Sequence, residues 1–295
     1  MILSQMSSRS KRNLFLVIGA SALLWPSTSI AAGNRLEKHF KVNGRPVVVI
    51  QNVSNGRIEV KSSKNPEVVV IGTQRSNKIE VLTEQADNRI GVSASILDAS
   101  APSLDLEEDF QLIVPEETEL QIRTEAGLIY VEQVMGDMKL ESVAGDVHLK
   151  EVSGYIIVKT TGGSLVCTQC GGKLDFNSIS GNAQILQPNL SNVTLVTTTG
   201  NILFDGDFVR TGLYTMRSGQ GTVEVRFAGT DSFNLNAQTA TGTVDNRAED
   251  FLKPDTHSKH TATKFTKSLF GTVGAGLAKV ELSSYSGTIR ILKRD

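Results

Sequence analysis

The residues best equipped for chemistry are two cysteines, four histidines and a run of carboxylates. Cys167-Thr168-Gln169-Cys170 has the spacing of a redox pair, half a zinc site or a short disulfide. A tetrahedral zinc site needs two more ligands, and the chain has no other cysteine. A redox thiol usually sits at a helix N-terminus, and no helical period surrounds this pair. Cys167 and Cys170 are therefore read as a core pair, either reduced or joined as a structural disulfide. His39, His148, His257 and His260 show no zinc-hydrolase spacing; His257 and His260 are read as part of a solvated loop. Asp98, Asp105, Glu107, Glu108 and Asp109 crowd one polar stretch. A cation site needs carboxylates at a defined spacing, and this stretch reads as a solvated connection. No catalytic residue, cofactor or metal is assigned.

What must position these residues is a repeat. Glycine recurs at 127, 136, 145, 154, 163, 172 and 181, a step of nine residues. Two and four places after each glycine stand apolar residues, from Ile129/Val131 through Leu165/Cys167 to Ala183/Ile185. Alternation of this kind marks a strand with one buried face. Seven places after the glycine the residue is usually apolar as well: Val134, Val143, Val152, Cys170 and Ile179. The glycine itself is expected to supply the positive φ of a tight corner. A lone unit cannot bury its apolar stripe, so units must stack. The fold class expected is all-β: a parallel β-solenoid, a β-helix-like stack of short strands in two sheets.

Two units per coil give an eighteen-residue rung. Glu132 would then lie beside Lys150, and Glu141 beside Lys159, each pair favourable across neighbouring strands. A three-unit rung would instead set Glu132 beside Lys159. On the eighteen-residue rung, Tyr130, His148 and Val166 stack on one outer face as a candidate contact patch.

Residues 1–31 have the form of a secretory signal. Arg9, Lys11 and Arg12 precede an apolar run from Leu14 to Trp25, and Ser29-Ile30-Ala31 offers a cleavage site, with Ala32 as the neighbouring choice. Without that segment the charge is 27 basic against 31 acidic groups, or −4. That balance argues against a nucleic-acid partner. No later segment reaches the ~20 apolar residues of a membrane-spanning helix.

Residues 32–124 carry strand-like runs of less regular pattern, such as Val47–Ile50 and Arg57–Val60, and read as a β-rich cap over the solenoid's N-terminal end. Residues 125–295 read as the solenoid. Past Asn189 the glycine spacing loosens to 19, 21 and 21 residues, at Gly200, Gly221 and Gly242. Residues 247–276 read as an irregular excursion before a last coil at Ala278–Leu292.

These motifs resemble the bacterial "putative adhesin" family of β-strand-repeat domains. The resemblance rests on Leu112-Ile113-Val114-Pro115, on Leu120–Gly127, on the Ser-x-x-Gly-Asp turn at Ser142–Asp146, and on Ser284–Ile289. It covers nearly all of the chain after the signal. It implies a domain without established catalytic residues.

Calcium-binding β-rolls also pair nonapeptides, but they line successive corners with aspartates. Here Asp137 and Asp146 follow their glycines, while Tyr155, Ser164, Lys173 and Asn182 take that place later. No structural calcium is expected. The functional expectation is an exported, non-catalytic envelope scaffold or adhesin-like binding protein of the periplasm or cell surface. Its partner would be an envelope protein or a glycan. The alternatives are a periplasmic carbohydrate-active enzyme, a polysaccharide lyase or hydrolase, and an accessory protein of an envelope-stress system.

Overall fold

The computed structural model describes residues 34–53, 55–254 and 265–294. The signal-like segment, and His257 and His260, lie outside them. Two 13-stranded sheets face each other across one apolar core. Each rung gives its first strand to one sheet, here sheet I, and its second to the other, sheet II.

The regular rungs follow one another as Glu119–Thr124 with Leu128–Glu132, Met138–Ser142 with Asp146–Lys150, and Ser153–Thr160 with Leu165–Thr168. Gly171–Ser178 with Ala183–Leu186, Asn189–Thr197 with Ile202–Asp205, and Leu213–Ser218 with Val223–Phe227 continue the stack. Neighbouring strands are parallel, and Glu132 pairs with Lys150 and Glu141 with Lys159. The rung is thus eighteen residues long up to Gly171–Leu186, as the charge pattern required, and lengthens after it. Lys150 donates to Glu132 at 2.7 Å. Glu141 instead takes its ion pair from Lys139 on its own strand, at 2.9 Å.

Every residue at the second and fourth place after a ladder glycine is buried. Each Val, Leu or Ile so buried contributes on the order of 1.5–3 kcal/mol. Towards the C-terminal end the core becomes aromatic. There Phe204, Phe208, Tyr214, Phe227 and Phe233 pack ring against ring, with centroids 4.6–5.6 Å apart. The Tyr214 hydroxyl donates to the Leu190 carbonyl at 2.5 Å, which satisfies it inside the core.

Both ends depart from chain order. The rung Val47–Asn52 with Arg57–Ser63 lies directly on Glu119–Glu132. The later rung, Arg89–Ile96 with Glu108–Pro115, sits outside it. At the other end, Ala278–Ser284 with Thr288–Lys293 slips between Leu213–Phe227 and the earlier rung Phe233–Thr239 with Thr243–Asn246. The last coil of the chain is therefore an internal one.

Antiparallel strands then close both ends. Ile79–Ala86 pairs with Arg89–Ile96, while Glu67–Gln74 and Asn34–Lys41 extend sheet II. Ser268–Val273 covers Phe233–Thr239. Both sheets continue from the entry strands into the first regular rung, Glu119–Thr124 with Leu128–Glu132. Of the 247–276 excursion, the described part supplies Lys253–Pro254, Phe265–Thr266 and Ser268–Val273, which close the C-terminal end alone.

Candidate binding surfaces

Each rung turns twice, and the two corners are built differently. Corner one leads from sheet I to sheet II. It begins with a buried hydroxyl: Ser142, Thr160, Ser178, Thr197 and Ser218 in successive rungs. Each Oγ accepts from the amide of the glycine three residues on. The distances are 2.7 Å at Gly145, 2.8 Å at Gly163 and Gly181, 3.1 Å at Gly200 and 2.9 Å at Gly221. Ser284 and Thr239 continue the column through Gly287 and Gly242. A buried hydroxyl and a buried amide satisfy one another there.

The glycines of this column do not need positive φ. A Cβ on Gly163 would overlap the Gly145 carbonyl oxygen, and one on Gly181 the Gly163 oxygen. Close approach of stacked backbones demands glycine there; Gly127, ahead of the column, has a φ of 91° as well, and at corner two Gly154 and Gly172 approach the Gly136 and Gly154 oxygens just as closely. The expectation of a positive φ at every ladder glycine is corrected to this extent.

The residue after each corner-one glycine ties one rung to the next. Asp146 Oδ1 accepts from the Ser164 amide at 2.7 Å, and Ser164 Oγ from Asn182 at 3.2 Å. Asn182 Oδ1 accepts from Asn201, and Asn201 Oδ1 from Thr222, both at 2.8 Å. The side chains that a β-roll would offer to calcium are here engaged with backbone amides.

Corner two leads from sheet II back to sheet I. Its first turn is taken in left-handed backbone by Gln133, Glu151, Gln169 and Gln187, with φ of 58°, 53°, 54° and 48°. Val134, Val152 and Cys170 follow them into the core. Val143 and Ile179, at the corresponding place of corner one, are 54% and 57% exposed. The seventh-place apolar residues thus face the core only at corner two, because the true repeat is eighteen residues and its two halves differ. The corner-two glycines 154 and 172 do have positive φ, 137° and 91°, and both are half-buried.

Cys167 and Cys170 bracket corner two. They are fully buried, with Cα atoms 6.0 Å apart, and are joined by a disulfide. Among the described residues no group of three or more His, Cys, Asp or Glu side chains is placed to hold a metal. His39 lies between Glu37 and Glu67, each at 3.2 Å. The hydrogen bond to Glu37 leads in raising its pKa.

Tyr130, His148 and Val166 fall on adjacent strands in register, on the outer face of sheet II. All three are half-buried. The Arg57 guanidinium lies 5.3 Å from the Tyr130 ring centroid, so part of that face is already covered.

The outer face of sheet I holds a different feature. Asp137, Tyr155 and Lys173 follow the corner-two glycines of successive rungs and line a groove of about 760 Å³ with Asp175, Ser191 and Asn192. Tyr155 is 43% exposed, and its hydroxyl donates to Asp175 Oδ2 at 2.6 Å. That hydrogen bond to a carboxylate raises the phenol pKa. Asp137 Oδ1 accepts from the Tyr155 amide at 3.1 Å, and its other oxygen is 3.9 Å from Arg45. The pairing of Gly171–Ser178 with Asn189–Thr197 shifts register between Gly172 and Lys173, which leaves Ser191 as the extra residue of a bulge.

The sequence reading passed over this groove. Two signals for it were present: an aromatic residue where neighbouring units carry Asp, Ser or Asn, and the 19-residue step from Gly181 to Gly200. It also passed over Glu108 in the acidic stretch. Glu108 alternates with Phe110, Leu112 and Val114 on the core face and is fully buried. Burial pushes its pKa up to about 7; the Gln74 amide opposes that shift and the Asp109 charge adds to it.

The Toastrack DUF4097 family matches residues 39–292, and the chain belongs to that family. No curated protein matches the chain. Among solved structures, it is similar to a "putative adhesin" from Bacteroides fragilis at 13% identity and a TM-score of 0.46. That match covers 88% of this chain and 97% of the other. A "putative cell adhesion protein" from Clostridium sporogenes is similar at 11% identity and a TM-score of 0.30. It covers 89% and 100% of the two chains.

Proposed function

We propose that the chain is an exported, non-catalytic β-solenoid that works by surface contact, as an envelope scaffold or adhesin-like binding protein. One observation carries this reading. The polar groups of corner one are engaged with backbone amides, so the outer faces of the two sheets are what the coil has to offer a partner. Charged strands such as Asn34–Lys41 and Ile79–Ala86, with exposed Arg35, Glu37, Lys38, Glu80 and Glu84, blunt the open edges. Blunted edges discourage self-association through strand pairing. The signal-like N-terminus and the Cys167–Cys170 disulfide both suit an oxidising compartment outside the cytoplasm.

A second reading, a carbohydrate-active enzyme, has one feature in its favour: Asp137 and Asp175 line the same groove. Against it, both are already engaged, Asp137 by the Tyr155 amide and Asp175 by the Tyr155 hydroxyl, on an exposed sheet face. A general acid instead needs a carboxyl held protonated in an apolar setting.

Affinity capture from native envelopes, with the full chain immobilised, tests the proposal. A retained envelope protein or glycan is the expected outcome, and retention of nothing above a blank matrix contradicts it. The Tyr130→Ala/Val166→Ala variant assigns the sheet II face: weaker capture keeps it, and unchanged capture removes it. Shortened oligosaccharides after incubation would move the protein to the enzyme class.

A further inference from the structure

We propose that the groove around Tyr155 on sheet I is a binding subsite for a neutral or N-acetylated glycan. This deepens the binding-protein reading and rests on it.

A solenoid face is ordinarily flat, and flat sheets offer little concavity to a small ligand. The concavity here has two local causes. Gly154 and Gly172 start adjacent strands in register and present no side chain, so they form a floor. The bulge at Ser191 then displaces the start of the next strand, Asn189–Thr197, and builds a wall. Bulges re-aim side chains in this way. Both causes sit at corner two, where no hydroxyl column ties the corner to its neighbours.

The lining has the chemistry of sugar recognition. A pyranose ring presents a patch of C–H bonds on its face and hydroxyl pairs around its rim. Tyr155 is the one aromatic ring lining the groove, and it is exposed. Its hydroxyl is held by Asp175, so little rotamer freedom remains to be lost on binding. Around it stand planar acceptors, Asp137 and Asp175, an amide, Asn192, and a donor, Lys173. Carboxylates and amides of this kind can take adjacent hydroxyls two at a time.

A protein partner would need complementary contact spread far beyond one groove, whereas a single ring with a polar rim suits a polyhydroxylated chain. Asp137 and Asp175 are balanced by Lys173 and by Arg45, 3.9 Å from Asp137, so the groove carries no excess positive charge to hold an anion. That disfavours uronates and sulfated glycans and selects neutral or N-acetylated ones. A volume of about 760 Å³ admits a short oligosaccharide rather than one ring alone.

The test is calorimetric titration of the full chain with chitotetraose, cellotetraose and maltotetraose, with tetragalacturonate as the charged control. We expect at least one neutral tetramer to bind and the uronate to bind more weakly. Tyr155→Ala should weaken that binding at least tenfold, Tyr155→Phe only a few-fold, and Tyr130→Ala on the opposite sheet not at all. Urea midpoints of the variants, measured alongside, show that each is folded.

Absence of binding by all three neutral tetramers overturns the proposal. So does equal affinity in Tyr155→Ala, or a preference for the uronate. If the tetramers fail while envelope capture persists, the groove assignment falls and the binding-protein reading stands. If capture fails too, both fall.

Discussion

Corner one and corner two join the same two sheets, yet they meet different demands. At both corners glycine backbones stack so closely that no Cβ fits between them, but only at corner one does a buried hydroxyl cap the glycine amides from Gly145 onward. The next side chain along, Asp146, Ser164 or Asn182, bonds to the rung above. At corner two a glutamine or glutamate takes the left-handed turn, and the residue after the glycine is free to become Tyr155 or Lys173. One corner holds the coil together; the other can vary, and it is where a binding groove arises. Backbone bonds link the rungs at both corners, so in a repeat fold function is to be sought where side chains are released from that bonding.

Adding one methyl group at Gly163 should break corner one. Gly163→Ala drives a Cβ into a backbone oxygen that cannot move aside, and should cost about 3 kcal/mol in urea unfolding, at the upper end for overpacking. Gln169→Gly at corner two should leave stability nearly unchanged. Relief of an αL residue, about 1–2 kcal/mol, is there offset by the entropy of glycine. A large loss in the second variant would remove the distinction between the corners.

The next effect belongs to the N-terminal rungs, where the corner rules end and a carboxyl is buried. A raised carboxyl pKa means that the folded chain binds more protons than the unfolded one between pH 4.5 and about 7. Stability should therefore fall as pH rises through that window and level off above it, by up to about 3 kcal/mol. Glu108→Gln should flatten that part of the profile in urea titrations at pH 5 and pH 7.5. An unchanged slope would show that Glu108 is not the group responsible.

Ser178→Ala removes the acceptor for the buried Gly181 amide and should cost roughly 1–3 kcal/mol. Ser178→Thr, which restores the oxygen as Thr160 and Thr197 do in their rungs, should recover most of it. The smallest effect is expected on the outer faces. Lys150→Ala breaks the ion pair with Glu132, a half-exposed contact, and should change stability by about 1 kcal/mol or less. A larger loss would mean that the outer faces hold the coil together as firmly as corner one.

The glycine step and the alternation after it made the strands, their inward residues and the eighteen-residue register legible, because these are local periodicities. Three things were not legible. Glycine looks alike in sequence whether it serves a close backbone approach alone, as at Gly181, or a positive φ as well, as at Gly172. A nine-residue average merged two corners, so Val143 and Ile179 appeared equivalent to Val134 and Val152. The order of the end rungs was hidden as well, since any β-period strand can enter such a stack and nothing local sends Ala278–Ser284 beneath Phe233–Thr239. Of the site, Tyr155 was visible only as a break in a ladder of polar residues. Only the three-dimensional placement of Asp175 and the bulge gave that break a meaning.

The division between the corners is tested most directly by urea unfolding of Gly181→Ala beside Tyr155→Ala. If corner one holds the coil, one added methyl at Gly181 should lower stability by about 3 kcal/mol. Loss of the whole exposed Tyr155 side chain should stay within about 0.5 kcal/mol of wild type. Equal losses, or a greater loss in Tyr155→Ala, would contradict the account.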